Sequence, residues 1–178
     1  MTNSANAHDV DPTTDLDGDP SEPIEIQFLS AVLFSRGSAV RRTVEHLVPE
    51  DFYSPVHAEL FTVIRDLITA GSPHDSPMVL NALTRQGKAH GHAGERLVQA
   101  LTIATLAGAP DTAVEAYGGA LLSQAYRRSF HAAAQRLATI AAEAPEDQLY
   151  ERMCVLGREQ RTATDRLNAF YRMDTDRC

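Results

Sequence analysis

The stretch from Pro49 to Asp75 carries the clearest helical pattern in the chain and reads PEDFYSPVHAELFTVIRDLITAGSPHD. Its centre carries apolar residues at three- and four-residue steps, which is the spacing of one helix face. Pro55 suits the first helical turn, where its missing N–H leaves no hydrogen bond unmade, and Gly71 suits the position after the last turn. The stretch therefore predicts a helix that begins at Pro55, ends before Gly71 and is flanked by turns.

The same spacing and the same helix-breaking residues predict helices on both sides of this stretch. Upstream, one helix begins at Pro23 and ends before Gly37, and a short one covers residues 38–47. Downstream, a helix from Pro77 to Gly87 is followed by a loop at residues 88–94 and by another short helix that carries Leu97 and Leu101. No segment shows the alternation of a β-strand, so the fold class is predicted to be all-α.

Two long helices are predicted to form a helical hairpin at the end of the chain. Residues 120–144 contain no helix breaker, Pro145 interrupts the helix, and Glu146 and Asp147 suit the start of a second helix that reaches Phe170. The sequence thus predicts a small helical bundle at residues 23–108 and a long αα-hairpin at residues 109–170.

The two ends of the chain are predicted to be tails. Residues 1–22 carry six carboxylates and no Lys or Arg, so they have too little apolar surface to offset the entropy of ordering. We expect a disordered acidic tail there and a short C-terminal tail at residues 171–178.

Composition excludes several classes of protein. Among 178 residues, 24 are acidic and 16 basic, giving a net charge of −8, which argues against a strongly basic nucleic-acid binder. Lys88 is the single lysine; Ala89 follows it, and Ala82 stands where a Walker A loop needs a glycine, so no P-loop ATPase is expected. Two cysteines and no apolar run near 20 residues favour a reduced, cytoplasmic protein without a membrane span.

No group of residues predicts a catalytic, cofactor or metal site. His90 and His92 lack the further ligands that zinc requires, and they suit a polar loop. His57 has no nucleophile placed to partner it, so a hydrogen-bonded structural role is expected. Asp51 suits turn hydrogen bonds, and Cys154 suits a buried free thiol. We therefore expect a protein that is not an enzyme.

The hairpin carries more apolar residues than its two helices need for pairing with each other. The surplus has two explanations, which the pattern leaves open: packing against the chain's own bundle, or against a second copy of the chain. The hypothetical interface residues are Leu122, Tyr126, Phe130, Leu137, Ile140, Leu149, Met153 and Leu156. A separate hypothesis is direct nucleic-acid binding by a basic stripe formed by Arg127, Arg128 and Arg136.

The block from Pro49 to Asp75 resembles the N-terminal domain of the bacterial DnaB-type replicative DNA helicase. The likeness continues upstream at Glu25 and Phe28 and downstream to Arg128, covering roughly residues 23–165. The family-motif residues, which we expect to be structural, are Asp51, Phe52, Tyr53, His57, Phe61, Gly71, Pro73 and Asp75.

The resemblance implies an interaction module rather than a motor. In the family this domain is all-helical, dimerises through its hairpins, forms a collar on the hexameric ring and contacts primase. We therefore expect a homodimer or a higher homo-oligomer that acts in DNA replication, with the replicative helicase or primase as partner. No cofactor is implied.

Overall fold

The structure, a computed structural model, describes residues 22–175, with side chains as far as Met173. Within this range all regular secondary structure is helical, as predicted. The seven helices are α1 (Glu22–Phe34), α2 (Ser38–His46), α3 (Pro55–Thr69), α4 (Ser76–Arg85), α5 (Gly91–Leu106), α6 (Val114–Glu143) and α7 (Glu146–Thr175). Short 3-10 turns at Pro49–Asp51 and Asp111–Ala113 precede α3 and α6.

Helix α1 lies at the centre of the bundle. It packs against α3, α5 and α6, and its residues Phe28, Leu29, Ala31 and Val32 are completely buried. A helix with apolar residues around most of its circumference is stable only when other helices cover it, which explains why α3, α5 and α6 pack around α1. The bundle therefore has its own hydrophobic core, without the distal part of the hairpin.

The base of the hairpin belongs to that core. Leu121 and Leu122 of α6 and Phe170 of α7 are buried in it, and the ring of Phe170 meets the ring of His46 edge-on at 6.0 Å. Two glycines permit this close approach: a Cβ added to Gly118 would lie 2.7 Å from the Thr43 methyl group, and one added to Gly119 would lie 3.2 Å from the Phe170 ring. Only the base of the hairpin folds back onto the bundle in this way.

Helix boundaries differ from the sequence prediction at three places. Helix α7 continues to Thr175 instead of ending at Phe170, because Phe170 and Met173 both pack against the core and keep the last turns folded. Helix α5 begins at Gly91, inside the predicted loop, since Gly94 has no Cβ to collide with the Ala89 backbone. Glu22, assigned to the acidic tail, is the first residue of α1. The rest of that tail and residues 176–178 lie outside the described residues.

The carboxylate of Glu25 anchors α1 to the start of α3. Glu25 has no exposed surface, and its oxygens accept hydrogen bonds from the backbone N–H groups of Tyr53 and Ser54, the latter at 3.3 Å. His57 Nδ1 lies 2.7 Å from Glu25 Oε2, and the ring N–H must donate because a carboxylate oxygen only accepts. These three donors compensate the desolvation of a fully buried charge.

A pair of glycine substitutions tests the packing of the hairpin base. Gly118→Ala should destabilise the protein by about 1–3 kcal/mol, because its new Cβ overpacks against Thr43. Gly157→Ala, at a helical glycine of α7 with nothing within 4 Å of the new Cβ, should stabilise it by about 0.5–1 kcal/mol. Urea denaturation measures both; a stable Gly118→Ala variant would contradict the packing described here.

A matched pair of charge removals tests the Glu25 anchor. Glu25→Gln should lower the free energy of unfolding by about 3–5 kcal/mol, because an amide replaces the buried acceptor of three donors. Glu59→Gln breaks the ion pair with Lys88, whose partners are each about two-fifths exposed, and should cost at most about 1 kcal/mol. Equal effects of the two variants in thermal and urea denaturation would show that the anchor contributes nothing special.

Candidate interaction surface

Asp51 connects the bundle to both helices of the hairpin. Its carboxylate accepts a hydrogen bond from Val48 N at 2.8 Å and pairs with Arg166 of α7 at 2.8 Å. Its backbone carbonyl oxygen accepts a hydrogen bond from Arg128 of α6. Arg166 donates in addition to the carbonyl oxygen of His46 at 3.3 Å. Asp51 is only 3% exposed, so these partners replace the water that its charge loses.

The aromatic family-motif residues lie in the core of the bundle. Phe52 and Phe61 pack with ring centroids 4.9 Å apart, and both contact the ring of Phe28. His57 is buried against Glu25. Tyr53 is different: its backbone N–H binds Glu25 while its side chain is 57% exposed.

The remaining motif residues form the ends of helices. Gly71 adopts a φ of 68° after α3, and its N–H bonds to Ile68 O at 3.0 Å. Asp75 caps α4 by accepting from Met78 N at 3.1 Å. Pro73 lies in the exposed turn between α3 and α4. Each contact described here for the motif residues supports the fold, and none forms a reactive site.

The seam between α6 and α7 is partly polar. The residues that bond across it lie three positions apart on α6, at Tyr126 and Ser129, and four positions apart on α7, at Gln160 and Thr164, which is the spacing of one helix face. At mid-length, Ser129 Oγ donates to Gln160 Oε1 at 3.1 Å, and Tyr126 and Thr164 share a hydrogen bond of 3.1 Å between their hydroxyls. Polar pairs at seam positions fix the register of two helices at some cost in stability. The hairpin therefore pairs its own helices without burying all of its large apolar residues.

Four exposed large apolar residues of the distal hairpin form a surface that we call the apolar flank: Phe130, Leu137, Tyr150 and Met153, which are respectively 45%, 41%, 74% and 45% exposed. Val155 of α7 is also 40% exposed, but it lines a separate cleft with Arg136 and Leu156. Near the tip, a cleft of about 290 Å³ opens between the two helices. The cleft is lined by Leu137, Ile140, Ala141, Leu149, Tyr150 and Met153.

The hypothetical interface residues differ in how much surface they offer to a partner. Leu122 is 2% exposed and lies in the core, so it is not an interface residue. Leu156 is 5% exposed and Tyr126 is half-buried against Phe130, with ring centroids 4.8 Å apart. The remaining predicted residues line the flank or its cleft: Phe130, Leu137, Ile140, Leu149 and Met153.

The three arginines of the basic stripe have different surroundings. Arg127 is exposed. Arg128 points to the carbonyl oxygen of Asp51, and Arg136 forms an ion pair with Glu159 at 2.5 Å. Two of the three guanidinium groups thus already have partners within the chain.

Two of the contacts that hold the fold together differ in how far the sequence predicts them. Glu25 precedes Phe28 and Leu29 on the buried face of α1, so its place on that face signals a buried acid. The pair of Asp51 with Arg166 joins residues 115 positions apart, and no local pattern marks it.

Other candidate groups show no site geometry. The rings of His90 and His92 lie at the exposed start of α5, and His92 is 3.9 Å from Glu95. Cys154 is a half-buried free thiol instead of a buried one. Between residues 22 and 175, three His, Cys, Asp or Glu side chains never come together in a way that would hold a metal ion.

No individual helix in the described range is both long and apolar enough to cross a membrane. The segments Gly91–Leu106 and Asp111–Glu143 satisfy the length and composition criterion only when joined across a bend of 108°.

Comparisons with known proteins agree with this architecture. The family model of the DnaB-like helicase N-terminal domain matches residues 19–117, more than half of the chain. The fold is similar to the crystal structure of the N-terminal domain of DnaB helicase from Mycobacterium tuberculosis, with a TM-score of 0.68 and 22% identity, covering 78% of this chain and 96% of that one. Curated proteins give no significant match. The chain belongs to the DnaB-like helicase N-terminal domain family.

Proposed function

We propose that this protein is a non-catalytic interaction module of DNA replication that self-associates through the apolar flank of its hairpin. In this proposal it acts in the cytoplasm and also contacts a replicative helicase or primase. The observation that carries it is the row of four large apolar side chains on the distal hairpin, each at least two-fifths exposed.

The position of the flank supports an intermolecular role. The base of the hairpin is buried in the bundle core through Leu122 and Phe170, whereas Phe130 lies two turns farther along α6. A polar seam holds the two helices in register, so the flank is displayed on a fixed support. Contiguous exposed apolar surface of this kind marks a protein interaction site.

A second copy of the chain is the simplest partner, since one flank can pair with the same flank across a two-fold axis. Added together, the exposed fractions of the four side chains amount to about two fully exposed side chains per chain. At about 1.5–3 kcal/mol for each buried side chain, two chains gain roughly 6–12 kcal/mol. Association costs roughly 4–15 kcal/mol, so these residues support a weak, concentration-dependent dimer, which further rim contacts strengthen.

The heterologous partners follow from the family. The solved relative is a piece of a DnaB helicase, so the flank of this chain is suited to pair with the corresponding hairpin of such a helicase. Direct nucleic-acid binding through the basic stripe is the less supported alternative, because Arg128 and Arg136 already have partners and the net charge is −8.

Two phenylalanines with equal exposure allow a controlled test of self-association. Phe130→Asp, on the flank, should reduce the mass in solution to that of one chain, because pairing would bury an unpaired charge. Phe34→Asp, at the end of α1 with 46% exposure against 45%, should leave the mass unchanged. Sedimentation velocity over a wide concentration range measures both.

Two results would contradict self-association through the flank. If Phe130→Asp keeps the mass of the unmodified protein, the flank is not the interface. If Phe34→Asp dissociates the oligomer equally, the bundle surface carries the contact instead.

Nucleic-acid binding has its own measurement. The proposal predicts that affinity for a single-stranded or duplex DNA oligonucleotide is at most weak, and that Arg127→Gln leaves it unchanged. A steep fall of affinity with salt, with a slope that Arg127→Gln reduces by about 1, would favour the alternative.

A further inference from the structure

The bundle and the hairpin meet at a second place beyond the buried base. Arg128 follows Leu122 by six residues, which is about 9 Å along the axis of α6. There it donates to the backbone oxygen of Asp51, while Arg166 of α7 pairs with the carboxylate of the same residue. One residue of the bundle is thus held by both helices of the hairpin.

We propose that this cluster of Asp51, Arg128 and Arg166, the arginine clamp, fixes the direction in which the hairpin leaves the bundle. The base buries α6 from Val114 to Leu122 against the bundle, together with Phe170 of α7. The clamp adds a polar contact about 9 Å beyond Leu122 and holds both helices at the point where they leave the core.

The chemistry of the clamp is directional. The carboxylate of Asp51 is buried, so it cannot exchange its partners for water without a large desolvation cost. Guanidinium–carboxylate and guanidinium–carbonyl hydrogen bonds are short and oriented, unlike apolar contacts. Val48 N–H and the His46 carbonyl oxygen hold the carboxylate and Arg166 in place from the bundle side.

The length of the hairpin amplifies any change at the clamp. Helix α6 extends 21 residues beyond Leu122, about 32 Å, so a rotation of about 10° at the base moves the tip by about 5 Å, nearly one helical turn. Such a shift would take the flanks of two chains out of register. This consequence for pairing rests on the proposed function, whereas the direction of the hairpin does not.

A distance measurement within one chain tests the clamp. Cys154 and Cys178 are replaced by Ser, and spin labels are attached at Thr84→Cys on α4 and Ala142→Cys near the tip, both exposed positions. The labelled chain is mixed with an excess of unlabelled chain, so that pulsed electron paramagnetic resonance reads distances within single chains. The unsubstituted clamp should give one narrow distance distribution.

Two variants break the ion pair of the clamp and leave the bond from Arg128 to the Asp51 backbone in place. Arg166→Gln and Asp51→Asn, whose amide oxygen can still accept from Val48 N–H, should widen the distribution by about 5 Å, the lever displacement given above. Arg166→Lys keeps the charge and should restore most of the narrow distribution, which a general loss of stability would not explain. Arg136→Gln breaks an ion pair inside the hairpin and should leave the distribution narrow.

The distance distributions test the proposed arginine clamp independently of the proposed function. Narrow, unchanged distributions for a folded Arg166→Gln variant would overturn it, as would equal widening by Arg136→Gln. If the Asp51→Asn variant does not fold, the distance distribution of the Arg166→Gln variant decides the test. Sedimentation of Arg166→Gln should show self-association weakened by about tenfold, within the usual range of coupling between sites. If the unsubstituted chain proves monomeric, the proposed function fails and the distance result still stands.

Discussion

The buried carboxylate of Glu25 organises the centre of the bundle. It binds the backbone N–H groups of Tyr53 and Ser54 and the ring of His57, and so fixes the turn that enters α3 against the central helix. Asp51 lies in the same turn, where it receives an arginine from each helix of the hairpin. The position of the hairpin is thereby linked to a buried charge at the centre of the bundle. Because a buried carboxylate without donors is strongly unfavourable, the turn has one arrangement and not several.

The distribution of polarity explains how one short chain combines a stable fold with a surface for partners. The bundle buries a continuous core of large apolar residues around α1, although Tyr53 and Leu106 stay 57% and 79% exposed. The distal hairpin is built differently: hydroxyl and amide groups occupy part of its seam, while Phe130 and Met153 remain nearly half exposed. Polar groups in the seam and apolar groups on the surface lower the stability of the isolated hairpin and favour its binding to a partner. This division of labour supports the proposed interaction module more directly than family membership does, since the family model ends at residue 117.

Much of the fold follows from the sequence because its determinants are local. Apolar spacing, Pro55 and Gly71 define α3, and Pro145 separates the two hairpin helices. Determinants that act over long distances were not predicted. The end of α7 depends on Phe170 meeting the core, and Leu122 is buried because Gly118 lets α6 approach the bundle closely. The pairing of Asp51 with Arg166 is of the same kind, because helical periodicity shows which face is apolar but not which distant residue will cover it.

Hydrogen–deuterium exchange over a range of protein concentrations would separate the stable bundle from a hairpin that binds a second copy, since one experiment measures both. We expect amides of α1 and α3 to be strongly protected at every concentration. We expect protection of α6 beyond Phe130 and of α7 around Met153 to rise with concentration, as flanks pair and stabilise the hairpin. Protection of the hairpin that does not depend on concentration, or a rise confined to the bundle, would contradict self-association through the flank.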